Sequence, residues 1–97
     1  MTDFAAAVSE HPDAGQAVAE VVGAVVEQLG DEGGPPDLAM VFVTPMHRTE
    51  LEAVAATVRA LLAPGALVGC AAESVLGGRR EVEGGPGVAL WAGRTGP

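Results

Sequence analysis

The chain has 97 residues, of which 48% are hydrophobic and only 3% aromatic, so it can form one domain with a core of Val, Leu and Ala. Its formal net charge is −8, from 13 acidic and 5 basic residues, and every basic residue is an arginine. Nucleic-acid binding needs a basic surface that neutralises phosphates, and an anionic membrane repels an acidic chain, so we expect neither partner.

The cysteine and histidine content argues against metal and disulfide chemistry. Cys70 is the single cysteine, which excludes an internal disulfide and a multi-cysteine zinc site. The two histidines, His11 and His47, have no paired metal-ligand spacing. The first residues lack a secretory pattern, and no apolar run approaches the roughly 20 residues of a membrane helix. The sequence therefore predicts a cytoplasmic protein without metal or cofactor.

The first third of the chain predicts a strand followed by a helix. Phe4 to Val8 is a short apolar run that fits a first strand. Asp13 with Gln16 three residues later forms a capping box, the pattern of a helix start. Apolar residues then recur at helical spacing up to Leu29, and Gly30 stands where a left-handed helix end is expected.

The middle third predicts a strand–helix–strand unit. Leu38 to Val43 is apolar without alternation, which is typical of a strand buried on both faces in a parallel sheet covered by helices. Thr49 and Glu52 form a second capping box, whose helix ends at Pro64-Gly65. Residues 66–71 are a further buried strand, so the unit should have a right-handed crossover.

The last third predicts a β-hairpin. Residues 79–83 are a polar strand candidate, residues 84–87 a Gly-rich turn, and residues 88–92 a closing strand. The charges of the polar strand fit a sheet edge. The predicted fold is a single α/β domain over residues 1–97, with a small mostly parallel sheet and two helices (strand-helix-strand-helix-strand) followed by a C-terminal β-hairpin.

Three segments of the chain together resemble a known family. They are residues 37–42, residues 67–78 and residues 88–91, which read DLAMVF, LVGCAAESVLGG and VALW. The chain resembles the first part of the N-terminal domain of the FIST (F-box and intracellular signal transduction) family. Members continue into a longer N-terminal domain and a second, C-terminal domain. The resemblance implies a non-catalytic sensory domain in intracellular signal transduction that binds small molecules such as amino acids. Ala71, where a hydroxyl residue is common, and Ser74, where glycine is common, depart from the pattern and put ligand identity in doubt.

The predicted parallel strands suggest where a ligand binds. In open α/β sheets ligands collect at the carboxyl ends of parallel strands. A helix start near Thr49 would present backbone N–H groups to an anion there, Arg48 would add positive charge, and Glu73 would bind an amine. The candidate ligand-binding residues at this rim are Thr44, His47, Arg48, Gly69, Cys70, Ala71, Glu73 and Ser74.

Each of these residues has a simpler structural interpretation. Gly69 can serve close backbone packing, and Cys70 can be a small apolar residue. Glu73 can be a solvated loop carboxylate, and His47 an exposed turn residue.

Two alternative functions stay open. An enzyme could pair Cys70 with His47, although no third orienting residue is identifiable. A protein-interaction module could use an uncovered sheet edge for self-association or for contact with a missing C-terminal portion.

Overall fold

The computed structural model describes residues 4–30, 33–71, 74–77, 80–83 and 85–94, with the backbone alone for 74–77 and 80–83. Nine elements follow one another along these residues, and the fourth of them is a short 3₁₀ helix that precedes the second α-helix. They are β1 (Phe4–Ser9), α1 (Ala14–Leu29), β2 (Leu38–Val43), the 3₁₀ helix (Pro45–Glu50), α2 (Leu51–Leu62), β3 (Ala66–Ala71), β4 (Ser74–Gly77), β5 (Arg80–Glu83) and β6 (Val88–Gly93). The α/β class and the predicted order of strand, helix, strand, helix and strand are confirmed.

Helix α1 begins and ends where the sequence signals predict. The side chain of Asp13 accepts a hydrogen bond from the Gln16 backbone N–H at 3.2 Å, which satisfies a donor that has no partner within the helix. Gly30 ends the helix with a φ of 76° and donates its N–H to the Val26 carbonyl. One face of α1 is buried, so the helical period of its apolar residues does mark the core.

Helix α2 begins differently from the prediction. The chain turns directly after Thr44 into the 3₁₀ helix, because Pro45 already has the backbone φ of a helical turn. The α-helix starts only at Leu51, and its cap residue Glu50 makes no side-chain capping bond. The Thr49 hydroxyl instead donates to the Glu50 carboxylate at 3.2 Å. The predicted Thr49–Glu52 capping box is therefore wrong.

The main sheet has the strand order β1-β6-β2-β3. Strands β2 and β3 are parallel, as predicted, whereas β6 is antiparallel to both β1 and β2. Three strands thus run in one direction, but β6 lies between two of them and makes the sheet mixed. The prediction of a mostly parallel pairing is wrong, because the chain returns after β5 and places β6 in the centre of the sheet.

The hairpin also differs from the prediction. Strand β5 pairs with β4, in the register Ser74↔Glu83 to Gly77↔Arg80, and not with the closing strand. The closing strand β6 is buried at nearly every position. A strand in the centre of a sheet has its apolar side chains removed from water. Pairing only with a charged edge strand would leave more of these side chains exposed.

Both helices pack on one face of the sheet. Their buried residues share a core with alternate sheet residues Ala5, Ala39, Val41, Val43, Val88, Leu90 and Ala92. The opposite face has no helix among the described residues, and there Leu38, Met40 and Phe42 of β2 are only half-buried. The prediction that helices cover β2 on both faces is therefore wrong. None of the helices in the described part of the chain is both long and apolar enough to cross a membrane.

Candidate functional site

The carboxyl ends of β2 and β3 meet at one edge of the sheet, as the sequence predicts. The parallel register pairs Val43 with Ala71, which places the ends of both strands, and Thr44 directly after β2, at the same rim. The 3₁₀ helix leads away from this rim towards α2. The carboxyl ends of β2 and β3 thus lie side by side, as predicted.

Thr44 is fully buried and holds the rim together. Its backbone N–H donates to the Gly87 carbonyl at 3.0 Å, and its hydroxyl reaches the same oxygen at 3.4 Å. These bonds tie the end of β2 to the residue that precedes β6. The hydroxyl of Thr44 is therefore occupied by a structural contact.

His47 is buried, with 3% of its surface exposed, so the interpretation as an exposed turn residue is wrong. Its Nε2 lies 3.1 Å from the His11 carbonyl oxygen. Because a carbonyl oxygen only accepts, Nε2 must carry the proton of this bond. His47 thus links the 3₁₀ helix to the loop between β1 and α1, while its neighbour Arg48 is exposed.

Of the other predicted residues, the structure describes the side-chain surroundings of Gly69, Cys70 and Ala71 on β3. A Cβ on Gly69 would lie 3.2 Å from Val41 Cγ1 and 3.5 Å from Leu51 Cδ1, which fits the close-packing interpretation. Cys70 pairs in register with Phe42, whose side chain points away from the helices, and it is half-buried. Ala71 is exposed. Glu73 lies outside the described residues, and Ser74 begins β4.

The cleft that contains His47 lies beside the start of α1. It has a volume of about 360 Å³, and the residues that line it include Pro12, Asp13, Ala14, Gly15, His47 and Glu50. Because β1 ends at Ser9 and β2 at Val43, the cleft lies outside the carboxyl ends of these two strands rather than of β2 and β3. His47 is the predicted site residue found in its lining.

Sequence reasoning missed Asp13 and Glu50 as lining residues of this cleft. The available signal was the position of Asp13, which caps a helix immediately after a strand end. Glu50 carried no signal, because the sequence placed its helix start at Thr49 and gave no sign of the 3₁₀ helix that brings His47 and Glu50 to the cleft.

The loop under the cleft is held by a chain of short polar contacts. The Ser9 hydroxyl donates to Glu20 at 2.6 Å, and the His11 N–H donates to the Ser9 oxygen at 3.2 Å. The Asp13 N–H donates to His11 Nδ1 at 3.0 Å. These bonds fix the loop before α1, so the cleft has a preorganised floor.

The chemistry of the cleft is that of a small polar site. Asp13 and Glu50 bring two carboxylates, and Ala14 and Gly15 bring the first turn of a 16-residue helix. The first N–H groups of a helix have no partner within it and attract negative groups, and the Asp13 side chain already accepts the N–H of Gln16. No group of three His, Cys, Asp or Glu side chains suited to a metal ion occurs within the described residues.

A second cleft of about 310 Å³ lies at the opposite ends of the helices and is lined mainly by apolar residues. Its cation, Arg94, donates to the carbonyls of Leu29, Gly30 and Gly34 at 2.7 to 3.0 Å. The guanidinium is therefore engaged with the end of α1. This cleft has less chemistry to offer a ligand than the first.

Comparison with known proteins gives relatives of much greater length. The chain is 38% identical over 84 residues to "Uncharacterized protein Rv0628c" of Mycobacterium tuberculosis, which covers 87% of this chain and 21% of the relative. It is 36% identical over 80 residues to "Uncharacterized protein Mb0898c" of Mycobacterium bovis, with 82% and 20% covered. No family model and no solved structure matches. The chain thus spans about a fifth of the length of the curated relatives that it matches.

Proposed function

We propose that this domain binds a small molecule with a cationic group, of the amino-acid type, in the cleft beside the start of α1. The observation that carries the proposal is the cleft itself. It combines two carboxylates, a helix start and a buried histidine outside the carboxyl ends of two strands, where α/β domains place their ligands.

The groups in the cleft favour a ligand with both charges. An amine would be attracted to Asp13 and Glu50, whose carboxylates carry the charge that it needs. A ligand carboxylate would be placed at the first N–H groups of α1, near Ala14 and Gly15. His47 would form the inner wall, because its ring is held by the His11 carbonyl.

The biological role is part of the same proposal. The resemblance to the FIST N-terminal domain supports a sensory role in intracellular signal transduction, and the single cysteine fits a cytoplasmic location. A non-catalytic role is favoured because Nε2 of His47 is engaged with His11 while Cys70 lies on the sheet face away from the helices. Alkylation of Cys70 by iodoacetamide at the rate of an ordinary thiol would agree with this.

The test is a thermal melt of the chain with the standard amino acids, simple amines and simple carboxylates, each added at millimolar concentration. A ligand at a hundred times its Kd adds about 2.7 kcal/mol of stability. For a domain of this size that raises the Tm by roughly 10–20 °C. We expect amino acids or amines to raise the Tm, and carboxylates without an amine to have little effect.

Two acidic residues provide a matched comparison. Glu50→Gln removes a charge from the cleft, whereas Glu52→Gln removes the same charge from an exposed position on α2 that does not line the cleft. We expect the ligand-induced shift to shrink in the first variant and to persist in the second. Equal shifts in both variants, or no shift with any compound, would refute the proposed site.

A further inference from the structure

The two edges of the main sheet are treated differently by the rest of the chain. At the β1 edge, the side-chain amide of Gln28 on α1 pairs with the backbone of Ala6. The Ala6 N–H donates to Gln28 Oε1 at 3.1 Å, and Gln28 Nε2 donates to the Ala6 carbonyl at 3.0 Å. The amide thereby occupies backbone groups that a further strand would use. The β1 edge is closed at its centre.

The β3 edge has no comparable protection within the described residues. Its sequence, ALVGCA, contains no charge and no proline, which are two of the features that prevent strand addition. Four of its six residues are exposed, and Val68 has 51% of its surface open to solvent. Strand β3 is therefore an uncharged, apolar edge whose outer backbone groups are available for pairing.

The apolar character continues from this edge onto the sheet face away from the helices. The registers align Ala6, Trp91, Met40 and Val68 in one row across all four strands. Neighbouring rows contain Phe4, Gly93, Leu38 and Ala66, and Val8, Ala89, Phe42 and Cys70. All twelve positions lack a charged side chain. We call the β3 strand together with the adjoining Met40 side chain the β3 surface.

We infer that the β3 surface pairs with an added β-strand contributed by polypeptide outside these 97 residues. The match covers 21% of the M. tuberculosis relative, so about four fifths of that protein lies beyond it. Because the match spans 87% of this chain, β3 falls inside it, and the relative has a counterpart of this edge. The inference is independent of the ligand cleft.

A second copy of this chain fits the β3 surface less well. The net charge of −8 makes two copies repel each other. An added strand from another part of a polypeptide need not be acidic, so this repulsion does not apply to it. An added strand would satisfy the outer backbone groups of β3, and its side chains would cover Val68 and Met40. The added strand would thus remove from water the exposed surface of Val68 and the remaining exposed part of Met40.

Amide hydrogen–deuterium exchange tests the inference in two intact proteins. The proteins are the 97-residue chain and the full-length M. tuberculosis relative, each followed over β3 and over the interior strand β2. Strand β2 is paired on both sides and serves as the internal reference for overall stability. The measured quantity is the exchange rate of β3 relative to that of β2 in the same protein.

In the 97-residue chain we expect the outer amides of β3 to exchange far faster than those of β2. In the relative we expect this ratio to fall by a factor of about 10 or more, because the added strand protects the β3 amides. An unchanged ratio would overturn the inference. Slow β3 exchange in the 97-residue chain would also overturn it. Light scattering would then separate two cases: the mass of a dimer would identify a second copy on the edge, and the mass of a monomer would mean that the edge is closed.

A charged substitution gives a second readout. Val68→Lys in the 97-residue chain should leave the Tm within about 2 °C of the parent, because about half of the surface of this residue is already exposed. Lysine at the aligned position of the relative should speed β3 exchange by about 10-fold or more, because a charge on an edge strand opposes pairing. Equal, small effects in both proteins would contradict the added strand.

Discussion

Arg94 should contribute more to stability than any other surface charge whose contacts the structure describes. Its guanidinium donates four hydrogen bonds to three backbone carbonyls, those of Leu29, Gly30 and Gly34. Leu29 is the last residue of α1 and Gly30 its cap, so both carbonyls lack partners within the helix. The side chain therefore holds the end of α1 to the loop before β2 and to the end of β6.

The expected loss in Arg94→Ala can be worked from these contacts. The bond to the Leu29 carbonyl is partly buried, and a hydrogen bond to a charged group contributes about 1.5–3 kcal/mol. The other three bonds are exposed, so water can replace them at little cost. A cation at a helix C-terminus adds about 0.3–1 kcal/mol. We expect a loss of about 2–3 kcal/mol, which lowers the Tm by roughly 10–20 °C in a domain of this size.

Two control variants separate the contributions of Arg94. Arg94→Lys keeps the charge but loses the planar fork of donors, so we expect it to retain about half of the stabilisation. Arg59→Ala removes an exposed arginine from the last turn of α2 and should cost only the helix-dipole part, about 0.3–1 kcal/mol. Stability would be measured by urea unfolding and by thermal melts. An Arg94→Ala variant no less stable than Arg59→Ala would refute the reasoning.

Three further predictions concern the backbone. Ala63 ends α2 with a φ of 49°, in the left-handed region, so Ala63→Gly should stabilise the domain by about 0.5–1 kcal/mol in urea unfolding, and a loss of stability would contradict the assigned strain. A Cβ on Gly65 would lie 2.9 Å from the Asp37 carbonyl oxygen, so Gly65→Ala should lower the Tm by the equivalent of about 1–3 kcal/mol. Gly23 in α1 has open space around it, so the control variant Gly23→Ala should raise the Tm. An unchanged Tm in Gly65→Ala would show that the backbone before β2 and β3 can shift. Gln28→Ala should speed exchange of the Ala6 amide in NMR about 10-fold or more relative to Ala5, and unchanged exchange would mean that Gln28 does not close the β1 edge.

The cleft beside the start of α1 shows why a general rule about strand ends gave only part of its lining residues. The rule that ligands collect at strand carboxyl ends gave Thr44 and His47, and His47 does line a cleft there. The rule could not tell which pair of strands flanks the cleft. Asp13 reaches it because α1 starts beside the 3₁₀ helix, a neighbourhood that depends on how the two helices pack.

The sequence by itself determined the local elements of this protein. Asp13 and Gly30 mark the ends of α1 because capping bonds join residues that are near in the chain, and the helical period of its apolar residues marks the buried face. The uncharged runs of β2 and β3, joined by one helix, predicted their parallel pairing for the same local reason. The start of α2 was misplaced because two helical conformations compete after Pro45, and composition does not separate them.

Only the tertiary structure decided the position of β6. Its apolar residues would suit a hairpin with a neighbour in sequence or the centre of the sheet, and local propensity is the same in both. The choice depends on the pairing of β6 with β1. In that pairing Phe4 lies opposite Gly93, more than eighty residues away in the sequence, and the buried residues of β6 join the core against α1. That pairing makes β1 and β3 the two edges, and it is why Gln28 meets the one edge while Val68 stays exposed on the other.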